Sequence, residues 1–216
     1  MNRTAVNLGC GSTVAPGWIN LDNSPGARLA QFPWLRWLLW KTKVLSDQHY
    51  NVRWPKNVIV RDLRRKLPFD SASIDCVYTS HVLEHLTRAD ARNLLSDIYR
   101  ILKNGGLLRV VVPDLAFGAR RYLAALERNV DDTAAAPELL NWLALSKPGL
   151  RAPHLWMYDA PTLRRELVAV GFDNVVVREH KTGSLPDCEL LDNRPDESLH
   201  MEAEKPRNGE VRGAVS

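Results

Sequence analysis

The 216-residue chain has little cysteine, no long basic run and no apolar stretch long enough to cross a bilayer. Its three cysteines, Cys10, Cys76 and Cys188, stand far apart and form no C-x-x-C pair, which excludes a disulfide framework and leaves a structural zinc site without support. Met1 to Thr4 run directly into an apolar strand pattern without the layout of a signal peptide, so a cytoplasmic location is expected. The formal net charge of +4 comes from short groups such as Arg61, Arg64, Arg65 and Lys66 with no interleaved aromatics. No N/D-P-P-Y/F-like run follows the fourth strand to grip a flipped base, so nucleic acid is not expected as a partner. With 45% hydrophobic and 25% charged residues, the composition is that of an ordinary folded domain.

What is present is an alternation of short apolar runs and helical patterns. Thr4 to Leu8, Trp18 to Leu21, Asn57 to Val60, Ser73 to Thr79 and Leu107 to Val112 read as strands, rich in β-branched residues and lacking strict alternation, which suits a parallel sheet covered on both faces. A long helix is expected from His81 or Val82 through Leu102, stopped by Asn104, Gly105 and Gly106. Further helices are expected at Phe117 to Arg128, Glu138 to Ser146 and Pro161 to Val170, with Phe172 to Arg178 and Ser198 to Ala203 completing the sheet. The fold class is therefore α/β, a doubly wound sheet whose ligands sit at the carboxyl ends of the strands. One domain is expected over residues 1–204, with a Trp-rich insertion at 24–56 and a frayed tail at 205–216.

The strand ends carry the chemistry. Gly9, Cys10 and Gly11 end the first strand, and glycines there let backbone N–H groups approach an anion closely. Asp22 ends the second strand, where a carboxylate accepts hydrogen bonds from a ribose diol, and Asp62 ends the third, where one accepts from an adenine amino group. A dinucleotide fingerprint needs a third glycine, where Val14 stands, and an acid about 20 residues onward, so a nicotinamide-dependent oxidoreductase is disfavoured.

These residues resemble a known family. Val6-Asn7-Leu8-Gly9-Cys10-Gly11, Asp22, Asp62-Leu63, Leu67-Pro68-Phe69-Asp70 leading into Ile74-Asp75-Cys76-Val77, and Leu102-Lys103-Asn104-Gly105-Gly106 are similar to the class I S-adenosylmethionine-dependent methyltransferases, closest to the small members that modify sugars, polysaccharides and natural products. The resemblance covers most of Thr4 to Pro113, and Tyr158 to Val177 resembles the family's late helix and strand. It implies a Rossmann-like, mostly parallel sheet with an antiparallel last strand, and S-adenosylmethionine as cofactor. It also implies that Asn7 and the Gly9-Cys10-Gly11 loop hold the methionine end, Asp22 the ribose, and Asp62 with the Leu63 backbone the adenine, with Ser80 and His81 facing the methionine end and the acceptor. Where the family usually carries an acid, this chain has Asn7.

On the acceptor side, methyl transfer from a sulfonium is an in-line displacement, and a general base helps when the acceptor is a hydroxyl. His81 is the first candidate base, with a strand-end cap as its plainer role; His154 and Asp114 are the other catalytic candidates, Asp114 with helix capping as its alternative. Trp156 and Tyr158 near His154 suit stacking on a sugar ring and equally a place in the core. His81, Glu84 and His85 fall on one helical face and resemble the E-x-x-E-H metal cluster of some methyltransferases, with His81 in place of the first Glu, yet no metal ligand is assigned because His85 reads more simply as structural.

In the insertion, Pro33-Trp34-Leu35-Arg36-Trp37-Leu38-Leu39-Trp40 is apolar, with Arg28, Arg36, Lys41 and Lys43 around it. A cap over the cofactor or acceptor pocket is the preferred reading, and a peripheral membrane contact through Pro33 to Trp40 the second. The functional expectation is a methyltransferase acting on a small-molecule or saccharide acceptor, at a hydroxyl; the alternative is a non-catalytic S-adenosylmethionine-binding partner module.

Overall fold

A computed structural model describes residues 3–55, 57–129, 133–143, 153–194 and 197–207. β1 (Ala5–Leu8) is buried at every position, as a central strand covered on both faces must be. It lies between β2 (Trp18–Asp22) and β4 (Ile74–Ser80), parallel to both, with Leu8 in register with Leu21 and Thr79. β3 (Val58–Val60) extends the sheet beyond β2, and β5 (Leu102–Pro113) beyond β4, again in parallel. β7 (Ser198–Glu204) inserts antiparallel between β5 and β6 (Asp173–Arg178), giving the order β3-β2-β1-β4-β5-β7-β6. The five parallel strands thus present their carboxyl ends along one edge, as the sequence pattern required.

Two sequence expectations change here: β5 starts at Leu102 and runs through Asn104, Gly105 and Gly106 instead of starting at Leu107, and the long helix after β4 is divided. The segment after β4 is not one helix from His81: His81 has a positive φ of 54°, a single 3₁₀ turn covers Leu83–His85, and α4 begins only at Arg88 and ends at Ile101. Thr87 is the reason, because its Oγ1 accepts from the Asp90 amide at 3.1 Å and opens the helix there. α5 (Leu115–Arg128) and α7 (Ala160–Val170) match their sequence patterns, α7 ending on Gly171 at φ 112°, whereas α6 (Ala135–Trp142) starts three residues before the expected Glu138 and ends at Trp142. Residues 144–146 of the expected Glu138 to Ser146 helix, and the tail beyond 207, lie outside the described residues.

Val6, Leu8, Leu21, Val77 and Val110 pack with Leu95, Ile98 and Ile101 of α4 and Leu163 and Leu167 of α7 on one face of the sheet. On the other face Trp18, Cys76, Tyr78 and Val111 pack with Leu185 and Leu191, the latter in the short helix α8 (Cys188–Leu191). Beneath that second cluster lies a polar group that periodicity does not show. Arg109 of β5 is fully buried; its Nε and Nη2 donate to Asp192 at 3.1 and 2.5 Å, its Nη1 donates to Glu202 at 3.0 Å, and it also bonds the Thr182 and Glu179 carbonyls. These bonds tie the 179–192 segment to the sheet.

The Trp-rich insertion folds as α1 (Pro25–Ala30), α2 (Pro33–Lys41) and α3 (Asp47–Tyr50). α2 has no buried residue and packs chiefly against α1 and α3. Trp40 stacks on Tyr50 at 4.5 Å, while Trp34 and Trp37 stay 66% and 51% exposed. Among the described residues no helix is long and apolar enough to cross a membrane.

Candidate active site

The sequence-predicted cofactor residues converge at the edge where β1 to β4 end. Gly11 N–H donates to Asp22 Oδ2 at 2.8 Å, and Ser24 N–H donates to Asp22 Oδ1 at 2.7 Å, so the Asp22 carboxylate splices the loop after β1 to the loop after β2. A Cβ built on Gly9 (φ 70°) would meet Val82 Cγ2 at 2.2 Å and Leu63 Cδ1 at 4.0 Å. The loops after β3 and β4 therefore press against the same turn. Gly11 (φ 54°) differs: a Cβ there meets nothing within 4 Å, so the crevice has room beside it.

The loop's amides are not free, contrary to the sequence expectation. Gly9 and Cys10 N–H both donate to the Leu21 carbonyl at 2.8 and 3.1 Å, and Gly11 N–H to Asp22, because the tight turn folds back on β2. What the loop offers a ligand is close backbone approach at Gly11 rather than an anion nest. Asn7 is buried, its Nδ2 donating to the Thr13 carbonyl at 3.0 Å, and so anchors the far side of the turn. The Cys10 thiol is 7% exposed and pushed up to about 12 by burial and the nearby Asp22 charge.

Asp62 follows β3 and is held by Arg64, whose Nη2 reaches Oδ2 at 2.7 Å; that hydrogen bond is the main reason the carboxyl lies low, at about 2. Leu63 beside it is buried in the main core. An open cavity of about 370 Å³ flanks this turn on the α4 side, lined by Arg64, Arg65, Lys66 and Arg100 among others. Ser80 closes β4 opposite Val111 of β5.

On the acceptor side, His81 Nδ1 stands 3.0 Å from Glu84 Oε1, and its Nε2 3.2 Å from Ser198 Oγ of β7. The imidazole is therefore held between a buried carboxylate and a hydroxyl at the crevice mouth rather than capping a helix. Asp114 does cap: its Oδ1 accepts from the Ala116 amide at 3.0 Å at the start of α5, and Arg120 stands 3.4 Å from its other oxygen. Backbone bonds from Leu155 and Trp156 to the Glu84 carbonyl, at 2.7 and 3.2 Å, dock the 153–156 segment over the 3₁₀ turn. His154 thereby comes beside His85, ring centroids 5.0 Å apart, and burial lowers its pKa. Tyr158 is 2% exposed and part of the core, while Trp156 is 36% exposed with Arg88 over its ring at 4.5 Å. Ser198 and Val82 escaped sequence reasoning, since a lone serine or valine at a strand end has no pattern.

The order of seven strands, with β7 antiparallel between β5 and β6, is the Rossmann-like methyltransferase fold. Residues 40–110 match the family model described as a methyltransferase domain. An uncharacterized methyltransferase of Synechocystis sp. is 35% identical over 69 residues, which is 32% of this chain and 32% of that protein. This chain therefore spans about a third of the curated relative it matches. Two solved S-adenosylmethionine-dependent methyltransferases superpose with TM-scores of 0.52: one from Thermotoga maritima, at 15% identity over 95% of this chain and 83% of that one, and one from Methanosarcina mazei, at 16% over 96% and 95%. Identities this low carry the fold alone.

Proposed function

We propose that the chain is an S-adenosylmethionine-dependent methyltransferase whose acceptor is a hydroxyl of a small or sugar-like molecule. The observation that carries this reading is the splice of Gly11 to Asp22 at 2.8 Å beside open space at Gly11, with the Leu63 and Val82 ends of two further strands against the same turn. The residues fit the cofactor: Gly11 would border its methionine end, with Asn7 holding the turn from behind, the remaining lone pairs of Asp22 would accept from the ribose hydroxyls, and Asp62 with the Leu63 backbone would hold the adenine. When bound, S-adenosylmethionine supplies an electrophilic methyl group on a positively charged sulfur.

The chain's own residues then align and deprotonate. His81 would take the acceptor's hydroxyl proton at Nε2, the nitrogen that stands 3.2 Å from Ser198 Oγ, while the cofactor supplies the methyl group. Glu84, 3.0 Å from Nδ1, orients that ring. Trp156, with Arg88 over one side of its ring, would offer the other side to stack on a sugar, and Asp114, besides capping α5, is the further acceptor-side candidate.

Calorimetry tests the reading. S-adenosylmethionine and S-adenosylhomocysteine are expected to bind and NAD is not. Gly11→Ala, which puts a methyl group in the open space and strains the turn at φ 54°, and Asp22→Ala are each expected to weaken the first two by about tenfold or more, some 1.4 kcal/mol. Binding of NAD alone, or unchanged affinity in both variants, overturns the assignment. Intact binding without methyl transfer to acceptor panels and cell extract instead supports the partner-module reading.

A reducing, cytoplasmic setting is part of the proposal, supported by three free cysteines, all buried. The α2 face supports a place at a membrane surface within it: Phe32, Trp34, Trp37 and Leu38 are all exposed, with Arg28, Lys41 and Lys43 beside them, the pairing of apolar wedge and positive charge that anionic lipid attracts. The chain is expected to float with vesicles rich in anionic lipid, and the double variant Trp34→Ser, Trp37→Ser to stay at the bottom. Flotation that does not change between the two removes this role from α2.

A further inference from the structure

Glu84 is an expensive residue where it stands. Its side chain is fully buried, and no hydrogen-bond donor among the described residues satisfies either carboxylate oxygen; the one charge partner is His81 Nδ1, 3.0 Å from Oε1. A carboxylate taken out of water needs a cation or several donors to compensate it. Among the described residues Oε2 has neither, and His154 Nδ1, brought in on the 153–156 segment, is likewise buried and without a hydrogen-bond partner.

Glu84, His85 and His154 each offer one ligand atom, and these lie within 4.8 Å of one another, the one such group among the described residues. Local structure aims them together for identifiable reasons. Glu84 and His85 are neighbours in the 3₁₀ turn, and the Glu84 carbonyl, accepting from two successive amides, fixes the strap that carries His154. His85 Nδ1 stands 3.2 Å from the Pro153 carbonyl. With the proton on Nδ1, that contact leaves Nε2 as the nitrogen with a free lone pair, the outer-shell arrangement that orients metal-binding imidazoles.

We propose that Glu84, His85 and His154 bind a divalent first-row transition metal, with zinc as the reference ion. Two imidazoles and one carboxylate form a nitrogen-rich donor set that suits zinc, and magnesium and calcium poorly. Tetrahedral bonds of about 2.0–2.2 Å set ligand atoms roughly 3.4 Å apart, so the three groups close on the ion by side-chain rotation of about 1 Å. Three protein ligands would leave a fourth position open. Resting on the methyltransferase reading, that position would take the acceptor oxygen and make its hydroxyl more acidic, easing its loss of a proton to a base such as His81. The existence of the site is independent of that reading.

The full chain, stripped with chelator and dialysed, is titrated with Zn²⁺ by calorimetry and with Co²⁺ by visible absorption, without cofactor or acceptor. One ion per chain is expected, with Co²⁺ bands of nitrogen and oxygen ligation, and about tenfold or greater weakening in both His85→Ala and His154→Ala. Both rings are partly exposed, so these variants are expected to fold; Glu84→Gln, which keeps shape but removes charge, provides the third arm. Absence of binding by Zn²⁺ and Co²⁺, or binding that survives in both histidine variants, overturns the site and leaves Glu84 as a partner of protonated His81 only. Because Asp22→Ala tests the cofactor and these variants test the metal, failure of one reading is separable from failure of the other.

Discussion

Arg109→Ala is expected to lower the unfolding free energy by about 3–5 kcal/mol, the cost of leaving buried carboxylates without their cation. All five guanidinium hydrogens are engaged in the buried group, and both acids depend on them: Asp192 and Glu202 are buried, at 1% and 3% exposure, and the second cation near Glu202, Arg178, is partly exposed. Burial alone would push the Glu202 carboxyl up; the Ser184 and Leu185 amides, followed by Arg109, pull it below its usual range instead. Such a loss is a large part of the stability of an ordinary domain. Urea unfolding of the variant beside the wild type measures it, and a loss under about 1 kcal/mol would mean that the 179–192 segment rearranges to let water reach the acids.

The same network makes stability depend on pH. His200 is buried, and burial above all brings its pKa down to about 4, with Asp192 opposing and Arg109 and His180 adding to the effect. The unfolded chain, whose histidines titrate near 6.5, binds more protons between those values, so the contribution of neutral His200 is complete above about pH 6.5 and is lost as pH falls toward 4. From pH 7 to pH 5 this amounts to about 2 kcal/mol. His200→Gln, which removes the titrating ring, is expected to flatten that part of the stability profile. An unchanged slope from pH 7 to 5 in the variant would place the acid sensitivity elsewhere.

The parallel half of the sheet was largely legible because its strands are short apolar runs, four of the five followed within two residues by Gly, Asp or Pro, and the candidate cofactor edge was read from where those runs stop. The sequence misled where a local backbone choice outweighed periodicity. Leu83 and Leu86 keep a helical rhythm with Leu94 and Leu95, but His81 turns with positive φ and Thr87 restarts the helix, so Glu84 and His85 sit in a separate turn. Asp22 was identifiable as a strand-end carboxylate, yet its hold on the Gly11 and Ser24 amides depends on loop curvature that residue types do not encode. Arg109 was hidden altogether, since its partners lie 83 and 93 residues away and a charge in an apolar strand looks like an exposed position. The approach of His154 to Glu84 is likewise a product of the strap's backbone bonds.

Cys10 gives the cofactor turn a built-in clock. Its sulfur sits between the two glycines, sheltered and firmly protonated. An alkylating reagent at neutral pH reacts with it only during the moments when the turn lifts away from β2. The labelling rate therefore counts those openings, and any molecule that seats itself against Gly11 slows the count without needing to be identified beforehand.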